Sequence, residues 1–213
     1  MTFNKRDLLK VLTSYDIPAA ESYSLNQGEP IDKAAIITKV GLPCFVKANR
    51  AGSSYGITKV YEIEELEKAI DHAFTEDHQV LIEAFLEGTE VSVGVITLNG
   101  ETTVLPVTEI VSENDFFDFE AKYQGASDEI TPARISHVQL ENVQSIAKKI
   151  YDLLEMKGYT RSEFIFKGEK PYLLEVNTTP GLTEESILPK QATEAGLSLR
   201  ELFESSIIEA LRK

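Results

Sequence analysis

Glu163, Glu175 and Asn177 are three hard oxygen donors carried by two short segments, residues 161–166 and 173–181. Residues two apart in a strand share a face, so Glu175 and Asn177 point one way while the apolar residues between and before them turn to a core. Residues 161–166 also read as a strand, and Lys167-Gly168-Glu169-Lys170-Pro171 reads as a turn, so the two runs form a hairpin. Pairing Phe166 with Tyr172 sets Glu163 opposite Glu175. Opposed carboxylates repel by roughly 0.2–1 kcal/mol, and a cation between them relieves it; an oxygen-only set with room for water and phosphate suits magnesium. A solvated acidic face uses the same residue types, and the rest of the chain must decide.

A second group surrounds Lys47. It ends a short apolar run, Pro43-Cys44-Phe45-Val46, and precedes the loop Arg50-Ala51-Gly52-Ser53-Ser54-Tyr55-Gly56. Glycine removes the Cβ obstruction, so the N–H groups around Gly52, Ser53, Ser54 and Gly56 can approach phosphate oxygens while Lys47 supplies a point charge. The loop lacks the Gly-Lys-Ser ending and strand-to-helix context of a P-loop, and an ordinary hairpin turn fits it equally. Glu83 and Glu90 flank Ala84-Phe85-Leu86-Glu87-Gly88-Thr89; a carboxylate at a strand end can accept from ribose hydroxyls while apolar neighbours sandwich a purine.

The elements that position these groups follow from pattern. Asn4 caps a helix with Leu8, Leu9, Val11 and Leu12 as its apolar stripe, and further helices cover residues 32–39 and 62–74. Residues 43–47 and 57–61 form a hairpin around the glycine loop. Strands follow at 80–83, 91–97 and 102–107, the last two joined by Asn99-Gly100. Residues 112–132 are polar and aromatic without periodicity, a length unusual for a passive connection and often functional. Leu140, Val143, Ile146, Ala147, Ile150 and Leu153 mark a helix, and Ser198-Leu199-Arg200-Glu201 has the form of a capping box opening the last one. Helices mixed with mainly antiparallel hairpins indicate an α+β class.

Composition bounds the partners. The 213 residues are 42% hydrophobic and 26% charged, with a formal charge of −14, which argues against nonspecific nucleic-acid or anionic-membrane binding. A phosphate site in so acidic a chain needs local positive charge, which singles out Lys47, Arg50, Lys122 and Arg161. No run approaches the roughly 18 apolar residues of a membrane span, and a cytoplasmic location is expected. Cys44 is the sole cysteine and its apolar neighbours suggest a buried, inert thiol.

Phe45-Val46-Lys47, the Gly52–Gly56 loop, Ile82-Glu83-Ala84-Phe85-Leu86-Glu87-Gly88-Thr89-Glu90, Phe117-Asp118-Phe119-Glu120-Ala121-Lys122-Tyr123 and Leu174-Glu175-Val176-Asn177-Thr178-Thr179-Pro180-Gly181 together resemble the ATP-grasp region of D-alanine–D-alanine ligases, in order and spacing along essentially the whole chain. The resemblance implies an ATP-grasp fold: two α+β subdomains, residues 1–90 and 91–213, gripping ATP between mainly antiparallel sheets. It implies that Lys5 and Lys47 contact ATP phosphates, that Glu83, Phe85 and Leu86 line the adenine site, and that Glu90 holds the ribose. Glu163, Glu175 and Asn177 match ligands of two Mg2+ ions, with Mn2+ as a substitute. Ser53 and Tyr123 match a network organising the first D-alanine, Lys122 approaches the γ-phosphate, Arg161 stabilises the transition state, and Ser186 binds the second D-alanine carboxylate near Gly181. Phosphoryl transfer needs positioning and charge neutralisation more than a protein nucleophile, and residues 116–123 would form a lid against water.

Family members carry roughly a hundred residues before this region, supplying a glutamate for the first D-alanine, and Glu163 stands where many relatives have aspartate. The expectation is therefore the ATP-binding catalytic portion of such a ligase acting in peptidoglycan synthesis. The alternatives are another carboxylate–amine ligase of the same fold and a catalytically incomplete nucleotide-binding module. A homodimer and a separately supplied N-terminal domain are the macromolecular partners this expectation admits.

Overall fold

In β2 (Cys44–Ala48) of the computed structural model, Cys44, Val46 and Ala48 are buried while Phe45 and Lys47 turn to the other face. The structure describes residues 1–52, 55–112 and 127–212. β2 lies between β3 (Ile57–Val60) and β4 (Gln79–Ala84), and β1 (Ser22–Asn26) flanks β4, giving an antiparallel sheet of order β1-β4-β2-β3. Helices α2 (Lys33–Val40) and α3 (Leu66–Phe74) cover the face to which Val46 points. Ile36, Val46, Val60, Leu66, Ile70 and Ile82 are fully buried there, each contributing about 1.5–3 kcal/mol. Helix α1 (Lys5–Thr13) is capped by the Asn4 side chain, which accepts from the Asp7 N–H at 3.0 Å. These elements belong to one compact unit ending at Leu86.

The second unit, from Glu87 onward, is built on β5 (Thr89–Leu98). Its sheet runs β10-β9-β5-β7-β8, with β6 (Glu101–Val104) pairing the far end of β5. Here β7 is Thr108–Ser112, β8 Ser127–Ile130, β9 Tyr159–Lys167 and β10 Lys170–Asn177. Asn99 and Gly100 take φ of 54° and 87° between β5 and β6, as a two-residue hairpin turn demands. Helix α4 (His137–Leu153) packs on β5, β6, β9 and β10. Helices α5 (Ile187–Glu194) and α6 (Leu199–Leu211) pack on each other and on β5, joining Leu188, Ala192 and Leu202 to Ile96 and Leu105. Among the described residues no helix is long and apolar enough to cross a membrane.

Four described elements lie outside those expected from the sequence, among them β7, whose Thr108–Ser112 follows the strand expected to end at residue 107. β1 buries only Leu25, so it shows no alternation. β8 falls inside the stretch expected to be irregular, and Ser-Asp-Glu-Ile carries no strand signature. α5 contains Pro189, which reads as a breaker but sits in the first turn, where a missing N–H leaves no intrahelical bond unmade.

The β9–β10 hairpin reaches the expected opposition by another register. Phe166 pairs with Pro171, Ile165 with Tyr172 and Phe164 with Leu173, one residue away from the Phe166–Tyr172 pairing. A bulge between Leu173 and Glu175 then takes up Leu174, after which Glu163 pairs with Glu175 and Arg161 with Asn177. Pro171 and Leu173 are buried before the bulge, and Val176 after it. Without the extra residue, Glu175 would share the inward face of Pro171 and Leu173. The bulge re-aims it outward.

Candidate active site

Along β9, Thr160, Ser162, Phe164 and Phe166 are buried on one face, which leaves Arg161 and Glu163 on the other. Directly paired residues share a face, so Glu175 joins Glu163, and Asn177 joins Arg161. On the neighbouring strand Glu90 pairs with Ile165 and Ser92 with Glu163, which places Glu90 two residues along the same face. Arg161 Nε donates to Glu163 Oε1 at 2.6 Å, and Glu163 is 7% exposed. The Glu163 charge, with further contributions from Glu175 and Glu129, outweighs desolvation and raises Arg161 above the ordinary arginine value. Asn177 Oδ1 accepts from the Thr179 N–H at 2.9 Å, which fixes its amide and leaves the oxygen a second lone pair.

This donor set fits magnesium. Among the described residues no three His, Cys, Asp or Glu side chains cluster as a self-sufficient metal site. Two facing carboxylates and an amide oxygen instead match an ion that takes few protein ligands and keeps water and phosphate.

In the first unit Lys47 Nζ lies 2.6 Å from Glu83 Oε2, and both side chains are largely buried. Phe45 pairs across the sheet with Glu83, and its ring centroid is 6.1 Å from that of Phe85. Lys59 Nζ stands 4.1 Å over the Phe85 ring and 5.1 Å over Tyr61, closing an aromatic corner beside the half-buried Leu86. Lys5 Nζ donates to the Ala51 carbonyl at 2.7 Å, so the first lysine reaches the loop that holds Gly52. Ser53, Ser54, Lys122, Tyr123 and the stretch 116–123 lie outside the described residues.

Ser186 caps α5. Its Oγ lies 2.9 Å from Thr183 Oγ1, and a Cβ added to Gly181 would stand 2.6 Å from it, so only glycine admits the Ser186 hydroxyl at that distance. The structure therefore brings together Arg161, Glu163, Glu175, Asn177 and Glu90 on one sheet face, Lys47, Glu83 and Phe85 on another, and Ser186 with Gly181.

Residue-type reasoning passed over Asn49 and Lys59. Asn49 is 0% exposed; its Oδ1 accepts from Arg6 N–H at 2.8 Å and its carbonyl from Lys5 N–H at 3.2 Å, tying the start of α1 to the entry of the glycine loop. Its one sequence signal is a polar residue closing the buried run of β2. Lys59 pairs with Phe45 in the β2–β3 ladder, which the hairpin reading could have placed.

The family model described as D-ala D-ala ligase C-terminus matches residues 11–209. The chain is 59% identical over 207 residues to D-alanine–D-alanine ligase of Flavobacterium johnsoniae, covering 97% of this chain and 64% of that one. It is 57% identical over 213 residues to the ligase of Christiangramia forsetii, covering 100% of this chain and 65% of the relative. Among solved structures, D-alanine–D-alanine ligase of Bacillus anthracis complexed with ATP superposes with a TM-score of 0.84 at 27% identity, over 99% of this chain and 66% of that one. VanG D-Ala:D-Ser ligase of Enterococcus faecalis gives 0.84 at 30% identity, over 99% and 62%. The chain thus spans a little under two thirds of the length of the curated relatives it matches. It belongs to the D-alanine–D-alanine ligase family, in the part that the C-terminal family model describes.

Proposed function

We propose that this chain carries the ATP-using part of a cytoplasmic ligase that joins two D-alanines for peptidoglycan synthesis. The observation that carries the reading is the Arg161, Glu163, Glu175 and Asn177 face, re-aimed outward by the bulge at Leu174. A carboxylate oxygen of the first D-alanine attacks the γ-phosphorus of ATP, and the bond to the β–γ bridging oxygen breaks to release ADP. The amine of the second D-alanine then attacks the acyl phosphate carbonyl, loses a proton, and expels phosphate. Glu163, Glu175 and Asn177 would hold magnesium, which would neutralise charge on the phosphates.

The chain's own residues take the following parts in this reading. Lys5 and Lys47, with the backbone around Gly52 and Ser54, bind phosphate. Glu83, Phe85 and Leu86 line the base, and Glu90 holds the ribose. Ser53 and Tyr123 orient the first D-alanine and Lys122 meets the γ-phosphate. Arg161 lies on the magnesium face and stabilises the charge that develops on the acyl carbon's oxygen. Ser186 receives the second carboxylate. Fold similarity does not separate acceptors, since the D-Ala:D-Ser enzyme superposes equally well; the 59% identity to a D-Ala–D-Ala ligase favours D-alanine.

The test is D-alanine-dependent ADP release by the full natural polypeptide, alongside Mg-ATP calorimetry. Glu175→Gln is expected to abolish turnover. Absence of D-alanine-dependent release in the parent protein overturns the ligase reading, and undiminished Mg2+-dependent turnover in Glu175→Gln overturns the metal assignment.

A further inference from the structure

A buried polar knot lies on the sheet beside the carboxylate face, and no role above uses it. Gln191 of α5 is 0% exposed although its helix neighbours Ile187, Leu188 and Ala192 form an apolar stripe. Its Nε2 donates to the Ser92 carbonyl at 2.8 Å and to Thr108 Oγ1 at 3.0 Å, and Thr108 Oγ1 lies 2.6 Å from Thr131 Oγ1. Gln191 thereby fastens α5 to β5 and β7 at once. A Cβ at Gly94 would stand 2.5 Å from Gln191 Oε1 and 2.6 Å from Leu188 Cδ1, so the helix seats directly on that glycine.

The knot is costly for a residue that only fills space. Gln191 Oε1 and Ser92 Oγ are buried without a hydrogen-bond partner among the described residues. Methionine would occupy a similar volume without adding an unmade bond. What glutamine supplies and methionine cannot is direction: its amide fixes both the height and the rotation of α5 on the sheet.

Both ends of this tether lead to the site. On the strand side, Ser92 pairs with Glu163 and Gly94 with Arg161. On the helix side Gln191 follows the cap residue Ser186 by five positions, about 7.5 Å along the axis, and the Lys190 N–H bond to the Ser186 carbonyl at 3.1 Å makes the intervening turn continuous. We propose that Gln191 is a positioning residue for the acceptor amino acid, setting Ser186 at the helix start relative to Arg161 and Glu163 on the strands. The inference rests on the assignment of Ser186 to the acceptor carboxylate.

Gln191→Met in the full natural polypeptide tests it, with Thr108→Val as a milder variant that removes one of the two acceptors. Gln191→Met is expected to raise the KM for the second D-alanine about tenfold, the scale of one lost hydrogen bond. The KM for Mg-ATP should stay within about twofold, and Thr108→Val should shift the same parameter less. Amide exchange at residues 190–195 should quicken in Gln191→Met while residues 202–211 of α6 keep their protection. An unchanged acceptor KM, or a parallel rise for ATP, overturns the positioning role. If the parent protein shows no D-alanine-dependent turnover, the ligase reading falls and exchange alone judges the tether: unchanged protection at residues 190–195 then refutes it.

Discussion

Arg161→Met removes the cation from a nearly buried ion pair and leaves Glu163 opposite Glu175 without its ion-pair partner. The roughly 0.2–1 kcal/mol of an ordinary cross-strand like-charge pair applies where solvent screens it. Cross-strand Cβ atoms stand about 5 Å apart, and for a pair as poorly solvated as this one two like unit charges at that separation repel by about 3 kcal/mol at an effective dielectric near 20. Removing one partner of a buried pair costs about 3–5 kcal/mol by direct measurement elsewhere, the same scale. Taking 3 kcal/mol, the melting midpoint of the unit containing the pair should fall by about 6–12 °C for a chain of this size. The informative assay is a double-mutant cycle in urea, without metal, using Arg161→Met, Glu163→Gln and the double variant. The double variant should recover at least half of the loss, because no uncompensated charge is left. Millimolar Mg2+ should narrow the gap between Arg161→Met and the parent protein, since it supplies the missing positive charge. A coupling below about 0.5 kcal/mol would mean that Arg161 and Glu163 act independently, and the electrostatic account of this face would be wrong.

Other outcomes follow from single features. An alanine at Gly88 would drive its Cβ into the Phe166 carbonyl, a backbone atom that cannot swing aside, so Gly88→Ala should lower the urea midpoint by more than the usual overpacking cost of about 1–3 kcal/mol. Burial pushes the Cys44 thiol up to about 11; at pH 8 its reaction with Ellman's reagent should be at least about 100-fold slower than that of a free cysteine and should be released by denaturant. Hydrogen bonds from Arg134 hold the Glu109 carboxyl below its ordinary value of 4.5, against the opposing effect of burial. Because the folded value is depressed, that stabilisation is complete above the ordinary value and is lost as pH falls through the folded one. Glu109→Gln should therefore flatten the acid limb of a stability-versus-pH curve below about pH 4.5, and an unchanged limb would refute the assignment.

Legibility followed burial. Where one face of an element meets a core, periodicity exposed it, as in α3 with Leu66, Ala69, Ile70 and Ala73; α6 was legible from its Ser198–Glu201 capping box instead, since of its apolar residues only Leu202 is buried while Phe203 and Ile207 are exposed. Where an element buries little, the pattern was silent. β1 contributes one buried side chain and is held by its ladder to β4, a contact five residues of sequence cannot announce. The order of motifs along the chain was legible because chemistry restricts residue type: a carboxylate or lysine has few substitutes at a phosphate or metal. Positioning residues are less restricted. Asn49 and Gln191 act through amide geometry on backbone partners far away in sequence; Asn49 is marked only as a polar residue closing a buried run, and nothing local marks Gln191.

The hairpin shows how a correct opposition can follow from an incorrect register. Uniform alternation from the turn at Gly168 predicts Glu163 opposite Glu175 only if Phe166 meets Tyr172, whereas the turn actually sets Phe166 against Pro171. With that turn and no bulge, Leu174 would face Glu163, and Glu175 and Asn177 would share the inward face of Leu173. Two charged or polar groups would then be driven into the layer beneath α4, which the apolar packing there cannot solvate. The strand avoids this by spending one residue, Leu174, at the boundary between its apolar and polar halves. The bulge is thus written in the sequence after all, as a change of parity: apolar positions are odd at Pro171 and Leu173 and even at Val176. Parity on both sides of the turn, rather than on one, separates a strand that merely pairs from one that turns Glu175 and Asn177 to the face of Glu163.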